Sequence, residues 1–446
     1  MASDRISFAT LQVRERGSAD DVSVKQETIA LDKDAESSPA SAPPEINFPD
    51  GGTIAWLQVV GSFFLFFNSW GIINTFGAFQ TYYEGNLLSA YSPSTISWVG
   101  SIQGFLLLVI GVMTGPIFDM GYFHSLIAVG SFMVVFGMMM TSLATEYYQI
   151  FLAQGLCVGL GAGCLFVPSV VILATYFKKK RSFATGLATS GSSIGGVIYP
   201  TVFHQLQPKI GFGWATRIIG FIALATLSIC FIIMRTRGHP PAKRQLIDKS
   251  AWKELPYPLF TLASFFAFVG LYIPFFYISA FAQGKTGASA ELAFYLVPIL
   301  NAASTFGRVS ANYLADHVGT LTVITPCTFI SGVLALCWIA VHDVGGVVVF
   351  AVLYGFFSGT IVSLSPSTVA HLTPDMKRMG GRMGMNFSIS GLGLLIGSPI
   401  AGTILNLETH QFLKAQIFCG VMVLVAGVAM GAARVSKAGW DLRAKA

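Results

Sequence analysis

Leu292-Ala-Phe-Tyr-Leu-Val-Pro-Ile-Leu-Asn301-Ala-Ala-Ser304-Thr-Phe-Gly-Arg308-Val-Ser-Ala-Asn312-Tyr-Leu314 is long and apolar enough to cross a bilayer as one helix, yet it carries an arginine in its interior. A guanidinium stays charged under ordinary conditions, and at membrane depth it costs about 3 kcal/mol even on the mildest scales. A helix keeps such a group where it faces a wet cavity or a partner, so Arg308 marks a pathway through the protein. The alternative is a position near the membrane surface, from which Arg308 snorkels or pairs with Asp316.

The rest of the chain supports a membrane reading. Apolar residues make up 53% of it and charged residues 11%, against roughly 25% charged in soluble domains. Twelve apolar runs of spanning length occur near 53–79, 95–116, 124–143, 148–176, 182–206, 214–234, 257–282, 292–314, 320–341, 345–369, 383–405 and 413–433. Lipid leaves backbone polar groups no outside partner, so each run is expected to be an α-helix. Short loops make sequential helices antiparallel neighbours. The expected fold is an all-α integral membrane protein of twelve transmembrane helices.

The formal charge of +6 is no nucleic-acid signal, because the positive residues alternate between the two membrane faces. With residues 1–52 placed in the cytoplasm, seventeen Lys and Arg fall in the inner loops and the C-terminal tail, among them Lys178 to Arg181, Arg378, Arg382 and Lys437. Four fall outside: Lys209, Arg217, Lys285 and Lys414. That asymmetry puts both termini in the cytoplasm. Residues 1–49 carry nine acidic and five basic residues with few aromatics, so a disordered acidic tail is expected there. It has no apolar core of a cleavable signal, and Ser37, Ser38 and Ser41 are its candidate regulatory positions. The six cysteines lie in apolar runs without metal-like spacing, as small buried hydrophobes do.

A hydrophilic stretch, Arg235 to Glu254, divides the helices six and six. The expected divisions are a tail over 1–49, a first half over 50–234, a cytoplasmic linker over 235–256, a second half over 257–434 and a tail over 435–446. The halves repeat features in order. Gly115-Pro-Ile-Phe-Asp119-Met-Gly121 ends the second span, and Leu314-Ala-Asp316-His-Val-Gly319 ends the eighth. Val167-Pro168-Ser169 precedes a basic loop in the fourth, as Ser365-Pro366-Ser367 does in the tenth. The fifth and eleventh are both Gly-rich. Two facing six-helix halves are the plan of an alternating-access transporter.

Two stretches resemble the major facilitator superfamily, and within it the monocarboxylate-porter family in its fungal style. Pro49-Asp50-Gly51-Gly52-Thr-Ile-Ala-Trp56 is similar to the family's Asp-Gly-Gly…Trp motif, one residue longer. Tyr176-Phe177-x-x-Lys180-Arg181-x-x-Ala184-x-Gly186-x-Ala188-x-x-Gly191-x-x-x-Gly195 resembles its fifth-helix motif at every spacing, with lysine for the usual arginine at 180. The resemblance covers about residues 46–440. It implies that Asp316 latches the inward-closed state, with Asp119 and Arg181 as further latch candidates; the copy around Asp119 is short and lacks the usual basic residues. It also implies that Arg308 engages a substrate carboxylate. The glycines and alanines of the fifth span give a face without bulk, suited to static close packing or to a sliding interface.

The chain departs from that family at two positions. The first-helix lysine and the aspartate one turn before the arginine, which serve proton-coupled uptake of small carboxylates, are here Asn74 and Ser304. Neither can titrate, so larger or more neutral solutes gain weight, and proton coupling needs another group. His204 is the titratable candidate, against the bland reading of an interfacial hydrogen-bonding residue. Glu84 is expected just beyond the first span, and Arg217 is expected to bind headgroups or cap a loop. Polar residues on apolar spans should point inward. Asn301 shares a helical face with Arg308, and Trp70 shares one with Asn74. With Gln103, Tyr354, Asn386 and Ser304 these complete the candidate substrate site; Asn68 and Ser363 are further inward polar residues.

His371-Leu-Thr-Pro-Asp375 is the one catalysis-like string, and Pro374 makes a turn its simpler explanation, so no enzyme is expected. Nor is a metal, cofactor or nucleic-acid partner. The expected activity is secondary transport of a small organic solute, a carboxylate or a fungal nutrient or metabolite, with protons as a candidate coupling ion and the plasma membrane as default location. The alternatives are a sensor without flux and a facilitative exporter of a neutral metabolite.

Overall fold

The computed structural model describes residues 49–236, 248–373, 378–405 and 411–441, and these are almost wholly helical. The acidic tail with its serines, half of the linker (237–247), and the Pro374–Asp375 end of the catalysis-like string lie outside the described residues. Twelve spans follow in order. They are α1 (Thr53–Leu87), α2 (Pro93–Asp119), α3 (Phe123–Thr141), α4 (Tyr147–Tyr176), α5 (181–210) and α6 (212–233) in the first half. The second half holds α7 (Pro256–Thr286), α8 (Ala290–Val318), α9 (Thr320–Ala340), α10 (Val344–His371), α11 (Met379–Ile404) and α12 (Leu413–Ala438).

α5 and α6 run on as 53 helical residues with one break. At 1.5 Å per residue that is about 80 Å, far more than the ~30 Å of a bilayer core. Gly211 resolves the conflict by adopting φ 77° and ψ 166° between the two spans, a conformation open to glycine alone without strain. The first span is longer than its hydropathy suggests. It bends at Thr75 and continues through a π-helical turn, Tyr83–Leu87, so Glu84 sits inside the helix and accepts from Gln80 Nε2 at 2.7 Å. α7 does the same, bending at Tyr272 and ending in a π-helical turn, Ala282–Thr286.

The halves also repeat in their caps. Ser92 and Ser289 cap α2 and α8 by accepting from Thr95 N and Leu292 N, and Gly121 and Gly319 take positive φ just after those helices end. Burial follows the same triplet rhythm. The most apolar stretches of α1, α4, α7 and α10 are 61–78% buried, whereas those of α3, α9 and α12 are 39–44% buried. α6 likewise turns Phe221, Leu224, Phe231 and Ile232 outward. The first set lines the centre and the second faces lipid. Cys337, expected to be buried, is exposed at the end of α9; the other five cysteines are buried or half-buried.

An even number of spans brings both ends of the described chain to one face, here called the terminal face. It carries Asp50, Lys178 to Arg181, Asp316 and Arg382. The two halves meet along two seams, α2 against α11 and α5 against α8.

Candidate functional site

The α5–α8 seam is built from two complementary stripes. α8 presents Asn301, Ser304, Arg308, Asn312 and Asp316, spaced three or four apart and so on one face. α5 answers with backbone groups and small residues. From the terminal face upward, Asp316 accepts from Ser182 N at 3.0 Å and Phe183 N at 2.8 Å. A carboxylate here satisfies two free amides of the α5 N-terminus and meets its dipole. One turn on, Gly186 lies so close that a Cβ would sit 2.6 Å from Asn312 Cβ. Arg308 then donates to the Thr189 carbonyl at 3.3 Å and to Ser304 Oγ at 3.1 Å, and Ser193 Oγ donates to Ser304 Oγ at 3.1 Å. Above these, Asn74 of α1 donates to Asn301 Oδ1 at 3.2 Å and to the Ser192 carbonyl at 3.4 Å.

Arg308 is 3% exposed and forms no ion pair among the described residues. Arg308 does not pair with Asp316: two helical turns separate them, and the guanidinium turns to Thr189 and Ser304 while the carboxylate holds the α5 N-terminus. Tyr272, placed by the bend in α7, is close enough to the guanidinium to act on its charge. Tyr272 stacks on Trp70 at 5.9 Å and 11°. Trp70 also meets Phe166 and Phe268, and Phe166 meets Phe387 at 5.0 Å, so an aromatic cluster from α1, α4, α7 and α11 crosses between the halves. Among the described residues, polar atoms without hydrogen-bond partners lie buried on two of those helices, α1 and α11, and on α2: Trp70 Nε1, Asn74 Oδ1, both amide atoms of Gln103, and Asn386 Oδ1. A buried polar group left unpaired is costly, so each is a position where a bound polar molecule would be stabilised.

Above the Asn74–Asn301 pair a cavity of about 370 Å³ opens toward the face opposite the termini. Asn74 is on its lining, with Tyr82, Phe203, His204, Phe276 and Phe294. The His204 imidazole stacks on Phe294 across the seam at 3.8 Å, and its Nδ1 is buried without a partner. Arg308 is not on this lining: seven residues separate it from Asn301, about 10 Å along the helix. The amide pair therefore forms a floor between cavity and guanidinium.

Tyr354 does not join this group. Its hydroxyl donates to the Leu271 carbonyl at 2.9 Å, and its ring stacks on Phe350, which stacks on Trp338, so it buttresses the α7 bend from within the second half. Asn386 is half committed, donating to Thr261 Oγ1 at 3.3 Å. Arg217 bonds Ser142 Oγ at 3.1 Å and lies over Trp214, a loop-fixing role.

The sequence profile of the Major Facilitator Superfamily matches residues 59–344 and 303–441. The chain belongs to the Major Facilitator Superfamily. It is 52% identical over 379 residues to the MFS-type transporter dbaD of Emericella nidulans, an alignment covering 85% of each chain. It is 40% identical over 403 residues to the aspyridones efflux protein apdF of the same organism, covering 90% of this chain and 82% of the relative. Identity to the MFS transporter asaE of Aspergillus flavus is 38% over 420 residues, covering 93% and 94%. The protein is thus an integral membrane protein of a transporter superfamily.

For such a transporter, which contacts lie between the halves matters most. The glycines of α5 divide by face: Gly186 and Gly196 press on Asn312 and Asn301 across the seam, while Gly191 and Gly195 press on Phe63, Phe67 and Gly71 of α1 within one half. Gly155, Gly159 and Gly163 of α4 pack likewise on α2, within the half. The two motif stretches interlock. Asp50 Oδ1 accepts from Lys178 N and Lys179 N at 2.6 and 2.7 Å, and Trp56 packs on Phe177 at 5.3 Å. Arg181 turns back to the Phe177 and Ala174 carbonyls of its own half, with Asp50 and Asp316 both acting on its charge. The Asp119 side chain lies outside the described set. Thr189, Ser193, Tyr272 and Asn312 complete the seam around Arg308 and were not signalled as site residues in the sequence.

Proposed function

We propose that the protein exports an organic metabolite bearing an acidic group, by alternating access between its two halves. The observation that carries this reading is Arg308: a buried guanidinium with no carboxylate partner among the described residues, held at the seam beside an aromatic cluster. A planar fork of donors in a low-dielectric space is a receptor for a carboxylate or enolate, and the aromatic walls suit an unsaturated body. The efflux name of one relative supports the outward direction. The positive-inside asymmetry supports cytoplasmic termini, which turns the open cavity to the exterior as a release route, with the plasma membrane as the site of action. Within the superfamily, the interlocked Asp50–Trp56 and Tyr176–Gly195 stretches support kinship to monocarboxylate porters. Asn74 and Ser304 cannot titrate and argue against that family's proton-coupled uptake of small carboxylates. His204 is the group through which protons would couple if they do.

The test is flux in proteoliposomes of a mixed set of acidic and neutral aromatic metabolites, with and without a proton gradient. Flux of acidic members is the expected result. Flux confined to neutral members would discard the anion reading, and no flux of any member would favour a sensor.

In the same reading Asp316 latches the terminal face closed. Asp316→Asn keeps one acceptor and loses the charge, weakening two charge-assisted bonds and the dipole contact, together about 1.5 kcal/mol. The terminal-open population should rise roughly tenfold, read as distances between spin labels at the terminal ends of α4 and α10. An unchanged distance distribution would reduce Asp316 to a helix cap.

A further inference from the structure

A second hollow, of about 520 Å³, lies on the flank of the α5–α8 seam, on the side of α8 turned away from Arg308. Phe183 supplies one wall; Phe306, Val309, Tyr313 and Phe356 supply the others, and the lining is almost wholly apolar. Phe306 is 71% and Tyr313 57% exposed, so no protein element covers them. In a spanning protein such a trough meets acyl chains. Its terminal end is different in character. There Phe183 meets Tyr313 edge-on at 5.8 Å, joining one half to the other. Lys179 and Lys180 lie in the turn that leads into α5, four and three residues before Phe183, so the chain brings two ammonium groups to this end of the trough. Both are exposed, and neither ammonium has a partner among the described residues. His317 stands at the same end, its ring 4.8 Å from that of Tyr313. An apolar trough that ends in free cations and a tyrosine, at the end of two spans, has the polarity of a phospholipid: tail along the trough, phosphate at its mouth.

We propose that this trough binds one anionic phospholipid, with an acyl chain along Phe306, Val309 and Phe356 and the headgroup on Lys179 and Lys180. Because Phe183 and the lysines belong to the first half and the other walls to the second, the lipid bridges the halves. It does so at the joint where Asp316 holds Ser182 and Phe183. Its occupancy therefore favours closure of the terminal face, whatever solute is carried.

The experiment uses the whole protein in nanodiscs of phosphatidylcholine, alone or with added phosphatidylglycerol. Lipid retained on release is read by native mass spectrometry, and closure by spin labels at the terminal ends of α4 and α10. The expected result is one retained phosphatidylglycerol per protein and a larger closed population in its presence. Lys179→Gln and Lys180→Gln should each weaken retention roughly fivefold. Ser310→Trp, which fills the trough and leaves the lysines intact, should abolish it. Equal retention of phosphatidylcholine, or retention indifferent to the lysines, would mean ordinary annular lipid and overturn the site. Retention without any change in closure would overturn the bridging role. The lysine variants change only exposed side chains, so they decide the matter even if the tryptophan variant folds poorly. Neither readout depends on transport, so failure here is separate from failure of the export reading.

Discussion

Arg308→Ala is expected to cut flux of an acidic solute by about 100-fold while leaving the thermal midpoint no lower than that of the natural protein. The two halves of this expectation come from the same geometry. Hydrogen bonds to a charged partner contribute about 1.5–3 kcal/mol, which is roughly a factor of 10 to 150 in affinity. Among the described residues the guanidinium has Ser304 Oγ and the Thr189 carbonyl as hydrogen-bond partners and no carboxylate. A buried charge so poorly compensated is a liability to folding, and removing it relieves the desolvation cost that offsets the packing lost. Arg308→Lys keeps the charge but not the fork, so an intermediate loss of about tenfold is expected. Flux in proteoliposomes and melting in detergent measure the two effects. Full flux in the alanine variant would remove Arg308 from the pathway. A midpoint lowered by several degrees would make it a structural residue.

The fold was legible because lipid imposes a simple rule on composition. Each of the twelve apolar runs is a helix, and the ends differ mainly where helix geometry outlasts hydropathy, as at Leu87 and Thr286. The repeated Gly121 and Gly319, and the Asn301–Arg308 face, were also visible, since spacing alone fixes them. Partnership was not. Nothing in Tyr354 shows that its hydroxyl goes to Leu271 rather than to the centre. Nothing in Gly186 and Gly191 shows that one faces the other half and its neighbour does not, although five residues turn a helix by about 140°. Pro274 marks a bend just after Tyr272, but nothing in the sequence shows that the bend aims this ring at Arg308. In the sequence Arg382 is one more positive charge on the inner side, and its partners come from the end of the linker, which only the fold brings to it.

That role supports the strongest stability prediction. Arg382 is 2% exposed at the start of α11. It donates from Nε to Asp248 at 2.9 Å, from Nη1 and Nη2 to Glu254 at 2.8 and 2.6 Å, and from Nη1 to the Leu372 carbonyl at 3.2 Å. One side chain thus fastens the end of the linker, including its 3₁₀ turn at Lys249–Lys253, to α11 and to the end of α10. The hydrogen bonds from Arg382 hold the Glu254 carboxyl below its ordinary value. Burial alone would raise Asp248, but hydrogen bonds from Ser250 and Arg382 outweigh it and leave that group lowered too. A carboxylate with a lowered folded pKa contributes stability that is complete above its unfolded value, near 4, and is lost as pH falls through the folded one. Acidification below about pH 4 should therefore loosen this turn. Arg382→Ala should do so at neutral pH, because Asp248, 5% exposed, is left as a buried charge with, among the described residues, the half-exposed Arg378 beside it. Breaking a buried pair costs about 3–5 kcal/mol; the exposure of Glu254, which water can reclaim, puts the expectation near 3. Adding Asp248→Asn to the alanine variant removes the orphaned charge and should recover much of the loss in melting midpoint. If the double variant is no more stable than Arg382→Ala, the arginine acts through packing against Tyr257, over whose ring it lies at 5.7 Å, and not through its carboxylates.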